Sequence, residues 1–171
     1  MTKNKSELGQ NFVIENGKII KNGEILSPRE GIASIPKSRF EKLLPTEKNF
    51  NNFEQKLLLI CDQDTSLDEP GWTKDNPLYG HCAVVSLLAQ DIWGGKLLRA
   101  SLANVLGYEH FRSHYWNLLP NEIQKDFTRS QFQGSYPQNL IVEERSREYV
   151  LSYPETVKRY ELLKERFNKL L

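Results

Sequence analysis

The chain has 171 residues, of which 39% are hydrophobic, and its 23 basic and 22 acidic side chains leave a formal net charge of +1. This length suits one domain with a core of its own, and the balanced charge excludes electrostatic binding to nucleic acid or to an anionic membrane surface. There is no apolar run of the roughly 20 residues that a membrane-spanning helix needs, the polar start MTKNKSELGQN lacks an export segment, and two cysteines make no disulfide framework, so the cytoplasm is the expected compartment.

Residues 1–52 are predicted to form an N-terminal tail, a small β-ribbon and a proline-interrupted arm. After a tail of about ten residues, Asn-Gly pairs at 16–17 and 22–23 are turn signals between short β-prone pieces, which predicts a small, tight ribbon. In the arm, the SRFEKLL stretch has room for only a short helix. The arm is expected to lie across the body, and it is a candidate surface for a protein partner. The interrupting prolines are Pro28, Pro36 and Pro45.

Residues 53–171 are predicted to form a single α+β domain. FEQKLLLI, from Phe53, is predicted to be helical, and the stretch 82–93 has the apolar spacing of a mostly buried helix that Gly94 and Gly95 end. KLLRASL and SHYWNLL are predicted strands, and KDFT is predicted as the strand that returns after the Pro120-Asn121 turn.

The last part of the chain carries the clearest helical pattern. EERSRE is interpreted as a solvated helix face. Ser152 and Glu155 form a predicted capping box with Pro154 in the first turn of a C-terminal helix. We therefore expect a central antiparallel sheet of about four to six strands, with the helix that begins at Cys82 packed on one face and the C-terminal helix closing the body.

Cys82 stands at the predicted start of a buried helix, directly after Gly80 and His81. The N-terminus of a helix presents unpaired N–H groups and a partial positive charge, which favour a thiolate over a thiol and stabilise an oxyanion that forms beside the sulfur. Cys82 is therefore a candidate nucleophile. The alternative is a cysteine that only packs in the core, and this is the interpretation of Cys61, which ends an apolar run.

A nucleophilic cysteine needs a base, and the base needs an orienting partner. His114 opens one predicted strand and Asp126 lies in the returning strand, each six residues from Pro120. Residues placed directly opposite on antiparallel strands project from the same face, so a hydrogen bond between the His114 imidazole and the Asp126 carboxylate is predicted. A shift of one residue in the register would place the two side chains on opposite faces.

The order of these residues resembles two known groups of proteins. Cys82, the His114-Tyr115-Trp116 run and the Asp126-Phe127-Thr128 run are similar to the Cys…His-x-Trp…Asp-x-Thr order of transglutaminase-like cysteine enzymes, which belong to the papain-like group. Residues from about 55 to 171 resemble more closely the YunG-like family of uncharacterised bacterial proteins. The motifs that carry this second resemblance are Asn76-Pro77…Gly80-His81-Cys82-Ala83, Gln90-Asp91…Gly94-Gly95, His114-Tyr115-Trp116-Asn117, Asp126…Thr128…Gln131-Phe132 and Thr156…Arg159-Tyr160.

The resemblance implies a papain-like or transglutaminase-like fold, in which a nucleophile helix packs on an antiparallel sheet. It makes Cys82 the nucleophile, His114 the general base and acid, and Asp126 the residue that orients the imidazole. The family pattern often has glutamine where this chain has His81, so an amide expected at that position is an imidazole here.

Four further residues are candidates for an oxyanion site or for lining the site. Asn76, six residues before Cys82, is a possible side-chain donor to an oxyanion, and His81 is a candidate lining residue. Asn117 is the rival orienting residue, although in a regular strand it faces away from His114. Trp116 is a candidate for a substrate groove, with packing in the core as the alternative.

Two classes of function follow. The first is a thiol hydrolase or acyltransferase that acts on a peptide, amide or acyl substrate through a thioester. The second is a non-catalytic binding or regulatory protein on the same scaffold. No cofactor and no metal are expected: His110 and His114 have the spacing of zinc ligands on a helix face, but the aromatic residues around them favour a strand.

Overall fold

A computed structural model of the chain describes residues 44–171 and, as backbone strands, four short segments before them. The paired ends of these strands are Glu15 with Lys18 and Lys21 with Glu24, and in the sequence each Asn-Gly pair lies between two of these ends. The first strand lies within the segment that was predicted to be a tail, and it pairs with the second strand. The arm from residue 27 to residue 43, with its short helix, lies outside the described residues. The strands, which form an antiparallel sheet in chain order, are β1 (Lys5–Glu7), β2 (Val13–Glu15), β3 (Lys18–Lys21) and β4 (Glu24–Leu26).

Helix α1 (Glu47–Ile60) opens the continuous part of the structure. It begins six residues before the predicted start at Phe53, because Thr46 caps it: the Thr46 hydroxyl accepts a hydrogen bond from the backbone N–H of Asn49 at 3.3 Å. Phe50, Phe53 and Leu57 follow at helical spacing and are buried on one face. The earlier start therefore adds Phe50 to the core.

Helix α2 (Cys82–Trp93) is the central helix, as predicted from its apolar spacing. It ends at Gly94, which has φ 75° and donates its N–H to the carbonyl of Gln90 at 2.8 Å. Trp93 packs edge-on against both Phe50 and Phe53, with 5.2 Å between ring centroids in each pair. These contacts join α1 and α2 in one core.

A second antiparallel sheet forms the other layer, and its four strands agree with the predicted number. The segment EERSRE was predicted to be a helix face, and this is wrong for residues 143–145, which belong to an edge strand; only Arg147 and Glu148 are helical. Across the ladder Arg99 is opposite Glu143 and forms an ion pair with it, and Lys96 forms an ion pair with Glu144. Of the strand predicted at KDFT, only Lys125 is in a strand, which is two residues long and begins at Gln124. In spatial order the strands are β7 (Gln124–Lys125), β6 (Ser113–Leu118), β5 (Lys96–Ser101) and β8 (Val142–Arg145).

Alternate residues of this sheet belong to different clusters. Leu97 and Tyr115 are in the main core with α2, whereas Leu98 and Trp116 are in a smaller cluster with Ala100. Helix α2 packs against β6 and β5, which confirms the predicted packing of this helix on one face of a sheet.

Two helices follow the sheet, α3 (Arg147–Leu151) and α4 (Pro154–Lys169). Helix α4 packs on α2 and α1, as predicted for the closing helix. The predicted capping box is absent: the N-cap of α4 is Tyr153, without a side-chain bond, because the Ser152 hydroxyl donates to the carbonyl of Tyr149 at the end of α3. In the described part of the chain, no helix is both long and apolar enough to span a membrane.

Candidate functional site

Cys82 is the first residue of α2, and its sulfur lies beside the start of β6. The Sγ atom is 4.0 Å from the carbonyl oxygen of Ser113. N–H groups in the first turn of a helix have no acceptor within the helix, and the N-cap His81 accepts no hydrogen bond from them through its side chain. Within the described chain, the N–H donors at this helix end therefore have no capping side chain from the residue that precedes the helix.

Gly80 fixes the direction in which the chain enters α2. Its φ of +76° is in the left-handed region, and a Cβ atom added here would lie 2.3 Å from Ser66 Oγ and 3.0 Å from Leu67 N. The backbone N–H of Leu67 also donates to the Gly80 carbonyl at 2.9 Å. Only glycine fits this position, and the loop that contains Ser66 and Leu67 holds the start of the cysteine helix.

His114 and Asp126 are in direct contact. The Nε2 atom of His114 lies 2.7 Å from Asp126 Oδ2, within the predicted range of a hydrogen bond. His114 is on β6, and Asp126 immediately follows β7. The two residues therefore come from neighbouring antiparallel segments, as the sequence predicted.

The register that produces this contact differs from the predicted one. Asn117 pairs with Lys125, so a continued ladder places Asp126 opposite Trp116 and not opposite His114. The turn is centred one residue later than Pro120, because the N–H of Leu119 donates to the carbonyl of Ile123 at 2.9 Å. A difference of two positions keeps Asp126 on the face of His114, and its side chain reaches the imidazole diagonally.

The Asp126 carboxylate is fully hydrogen bonded. Oδ2 accepts from His114 and, at 3.1 Å, from the hydroxyl of Tyr136. Oδ1 accepts from the backbone N–H and the hydroxyl of Thr128 at 3.0 Å and 3.1 Å. Burial alone would raise the pKa of Asp126, but the contacts with His114, Thr128 and Tyr136 lower it. The side chain is therefore an ionised acceptor at neutral pH.

Cys82 and Asp126 both act on the protonation of His114, which is 1% exposed. Burial opposes the charged imidazolium, but hydrogen bonds to Asp126 and Cys82, together with the negative charges of these groups, raise the pKa of His114 to about 9. Nε2 faces the carboxylate, and Nδ1 lies 3.3 Å from the side-chain nitrogen of Gln131. At neutral pH the imidazole is accordingly protonated and bonded to the Asp126 carboxylate.

Aromatic rings enclose the imidazole of His114. The ring of Trp116 is stacked at 5.5 Å between centroids, and Phe132 and Tyr136 approach edge-on at 4.8 Å and 6.0 Å. Cys82 itself is 8% exposed. His114 and Cys82 are therefore both largely shielded from water, and charged contacts are stronger there than in solvent.

His81 is fully buried and points to the loop before α2. Its Nδ1 lies 2.9 Å from the carbonyl oxygen of Tyr79 and its Nε2 lies 2.9 Å from Thr65 Oγ1. A carbonyl only accepts, so Nδ1 carries the proton and Nε2 accepts from the threonine hydroxyl. Burial lowers the pKa of His81 to about 4. The side chain is thus neutral at neutral pH, and both nitrogens are used by the loop.

The other three candidate residues have partners of their own. Asn76 donates its amide to the carbonyl of Gln131 at 2.9 Å, and Asn117 donates to the carbonyl of Ser86 in α2 at 2.9 Å. The indole N–H of Trp116 donates to Gln124 Oε1 at 2.9 Å. Asn117 does not contact His114, as its alternation along the strand predicted. Only Trp116 of these three touches the imidazole.

Three residues beside His114 and Asp126 were given no role from the sequence. Thr128 and Tyr136 bond the Asp126 carboxylate, and the amide nitrogen of Gln131 lies 3.3 Å from His114 Nδ1. The short spacing of Asp126 and Thr128 is a signal for a local side-chain bond. The sequence contains no comparable signal for Tyr136, which reaches Asp126 from a loop ten residues later.

A cleft of about 540 Å³ opens next to the cluster formed by His114, Asp126 and Tyr136. It runs from α1, at Glu54 and Leu58, to Asp126 and Tyr136, with Arg129 on its wall. Cys82 does not line it. The cleft thus reaches the cluster from the carboxylate side.

A comparison with known protein families identifies the family of the chain. Residues 49–171 match the family described as YunG protein, so the chain belongs to the YunG family. The resemblance predicted from about residue 55 is confirmed, and the match begins inside α1. Neither a curated protein nor a solved structure matches the chain.

Proposed function

We propose that this protein is a cysteine-nucleophile enzyme, of the peptidase, amidase or acyltransferase type, that works through a thioester. Cys82 is the nucleophile, His114 the general acid and base, and Asp126 the orienting carboxylate. The observation that carries the proposal is the position of His114, which contacts Asp126 at 2.7 Å and follows Ser113, whose carbonyl oxygen lies 4.0 Å from the Cys82 sulfur at the start of α2. A base held by a third group beside a nucleophile is the arrangement that nucleophilic catalysis needs.

In the proposed reaction the Cys82 sulfur attacks the carbonyl carbon of the substrate. The negative charge that develops on the carbonyl oxygen lies near the N–H groups of the first turn of α2, which favour anions. The protonated His114 donates its proton to the leaving amine or alcohol, and a thioester remains. His114 then removes a proton from water, or from an acceptor amine or alcohol, which attacks the thioester and releases the thiol.

The same proposal assigns the chain to the papain-like, transglutaminase-like architecture. A nucleophile at the start of a central helix and an imidazole on the adjacent antiparallel sheet support this assignment. The number of strands and the closing C-terminal helix agree with it. Both cysteines are free, which suits a reducing compartment, and we propose the cytoplasm.

An active ester tests the proposal without knowledge of the natural substrate. Incubation with p-nitrophenyl acetate, followed by mass spectrometry of the intact protein and of its peptides, should show one acetyl group on Cys82. Cys82→Ala should remove the adduct, and Cys61→Ala, the matched control at the other buried thiol, should retain it. Absence of an adduct on Cys82 in the native protein, or equal labelling of both cysteines, would contradict the proposal.

One observation favours the second candidate, a non-catalytic binding protein. Cys82 is 8% exposed and does not line the 540 Å³ cleft, whereas Asp126 and Tyr136 do. A small ligand in the cleft would contact the carboxylate side of the cluster. Binding of ligands there without any acylation of Cys82 would support this second function.

A further inference from the structure

The face of the second sheet on which α2 packs also carries a row of polar side chains. Tyr115 on β6 is directly opposite Arg99 on β5, and Arg99 is directly opposite Glu143 on β8. Directly opposed residues on antiparallel strands project from the same face, and Tyr115 belongs to the core that contains α2. The three side chains therefore lie side by side across three strands, on the face that α2 covers in part.

This row lies close to the start of α2. The Cys82 sulfur is 4.0 Å from the carbonyl oxygen of Ser113, and Tyr115 is two residues further along the same strand. Two residues of a strand span about 7 Å, and neighbouring strands lie about 5 Å apart. A molecule bound at Tyr115 and Arg99 can therefore reach the sulfur with a short acyl chain.

The charges along the row do not cancel. Arg99 and Arg145 both bind Oε1 of Glu143, at 2.5 Å and 2.6 Å. Arg145 is on the same face of the sheet, because it lies two residues after Glu143 on β8. In the described chain, no other carboxylate lies within 4.0 Å of either guanidinium. Two guanidiniums that share one carboxylate leave a net charge of +1.

Two hydrogen-bond donors of the row have no acceptor among the residues that the structure describes. Tyr115 is 8% exposed, yet its hydroxyl has no partner and is not sealed from solvent. Burial raises the pKa of Tyr115 to about 12, so this hydroxyl is protonated at neutral pH. Arg99 uses Nη1 for Glu143, and its Nη2 is without a partner. Unpaired donors beside a net positive charge suit a carboxylate, which only accepts and carries one negative charge.

We infer that Arg99 and Tyr115 bind a carboxylate of the substrate and thereby make the enzyme specific for anionic acyl groups. The inference rests on the proposed function, since it concerns the substrate of that site. Arg99 supplies charge and a donor, Tyr115 supplies a second donor, and Arg145 keeps Glu143 neutralised. A neutral acyl group of the same length leaves both donors without an acceptor, and a site built for hydrogen bonds discriminates against such a group.

Binding of hexanoate tests the site without any acylation. Hexanamide is the matched probe, because it has the same size but no charge. Titrations followed by the backbone amide NMR signals of Arg99 and Tyr115 give a Kd at this location for each probe. Hexanamide should bind at least about ten-fold more weakly, since hydrogen bonds to a charged group are the stronger kind.

Variants of the row should change the Kd of hexanoate in both directions. Arg99→Gln should raise it about ten-fold, and Tyr115→Phe, which retains the ring, about three-fold. Glu143→Gln frees both guanidiniums and should lower the Kd several-fold. Lys96→Gln is the matched control: it removes a positive charge from the same strand, but Lys96 alternates with Leu97 and pairs with Glu144 on the opposite face. Its Kd should not change. If Arg99→Gln does not fold, as judged by circular dichroism, Tyr115→Phe replaces it.

Acylation connects the carboxylate site to Cys82. The p-nitrophenyl esters of adipate and of hexanoate carry acyl chains of the same length, with and without a free carboxylate. In each case the sulfur–acyl bond forms while the ester C–O bond breaks, p-nitrophenolate leaves with the electron pair, and the thiol proton passes to His114. Mass spectrometry should show the Cys82 adduct forming at least about ten-fold faster from the adipate ester. Arg99→Gln should abolish this preference.

The outcomes separate this inference from the proposed function. Equal Kd values for the two probes, or hexanoate binding that Arg99→Gln and Tyr115→Phe leave unchanged, overturn the inference, and so does an equal loss in Lys96→Gln. Equal acylation rates from the two esters overturn it as well, while they support the enzyme. Charge-selective binding without an adduct on Cys82 from either ester supports the carboxylate site and contradicts the enzyme.

Discussion

Two histidines are buried in the structure: His81, which precedes Cys82 in the chain, and His114 on β6. They are 0% and 1% exposed, so burial opposes the charge on each of them to a similar extent. The pKa of His81 is nevertheless lowered to about 4, and that of His114 is raised to about 9. The difference comes from the partners: a carbonyl and a hydroxyl bind His81, whereas a carboxylate binds His114.

The contrast shows how one residue type serves two purposes within one site. A neutral imidazole with both nitrogens occupied holds a loop in place and has no proton to transfer at neutral pH. A charged imidazole that a carboxylate orients has a proton to transfer at neutral pH. Closeness in sequence to Cys82 is a poor guide to which histidine can transfer a proton, because the adjacent His81 has a structural role.

The largest expected effect is on the acylation of Cys82. His114→Gln should slow it by about 10³–10⁴-fold, since the base is lost. His81→Gln should stay within a few-fold of the unmodified protein if it folds, because a glutamine amide can donate to the carbonyl of Tyr79 in the same way. Acetylation rates from mass spectrometry measure both variants, with circular dichroism as the control. Equal losses in the two variants would remove the distinction between the histidines.

Asp126→Asn should have the next largest effect. The amide keeps the size of the carboxylate but removes its charge and one acceptor, so His114 loses the group that orients it and favours its protonation. We expect acylation to fall by about 10²–10³-fold. The rival orienting residue provides the comparison: Asn117→Ser should cost stability by breaking the contact with Ser86, with little loss of rate in the protein that folds. The reverse ranking would reassign the orienting role.

Alkylation of the two cysteines extends the contrast to the thiols. Burial raises the pKa of Cys61, whereas Cys82 begins α2, where the first-turn N–H groups favour an anion. Near pH 6, iodoacetamide should modify Cys82 at least about ten-fold faster than Cys61. In His114→Ala a higher pH should be needed for the same rate. Peptide mapping measures both sites, and resistance of both cysteines until denaturation would identify Cys82 as a core residue.

The smallest effect concerns stability. The pKa of His114 is higher in the folded state than the usual 6.5, so its contribution is complete below pH 6.5 and is lost as the pH rises through about 9. The pKa of His81 is lower, so its penalty appears as the pH falls from 6.5 towards 4. Each should change the free energy of unfolding by a few kcal/mol. Urea denaturation across this range should show the alkaline loss disappear in His114→Gln and the acid loss disappear in His81→Gln.

Much of this arrangement follows from the pattern of residues along the chain. The helical spacing of apolar residues predicted the helix from Cys82 to Trp93 and the closing helix. The placement of His114 and Asp126 on one face was also predictable, because it depends only on whether the positions are odd or even along paired strands. The predicted register differs from the observed one by two residues, and a shift of two residues leaves both side chains on the same face of the sheet.

The remaining features depend on contacts that are distant in the sequence or on backbone conformations that it does not signal. Glu122 adopts φ 66° in the turn between β6 and β7, a conformation for which glycine or asparagine would be the usual indication. The charged run at Glu143 and Glu144 has no apolar alternation, so its pairing with β5 was missed. The second partner of the His81 imidazole is Thr65, sixteen residues earlier.

The edges of the second sheet have a consequence for self-association. An exposed strand edge can pair with another chain, and short or charged edge strands prevent this. One edge, β7, is two residues long, and the other, β8, begins beside Ile141 and Val142 but continues with Glu143, Glu144 and Arg145. The charges of the two glutamates thus oppose pairing of this segment with another chain. Replacing both with valine would leave an apolar run of five residues, from 140 to 144, at an open edge, a strand suited to fibril growth.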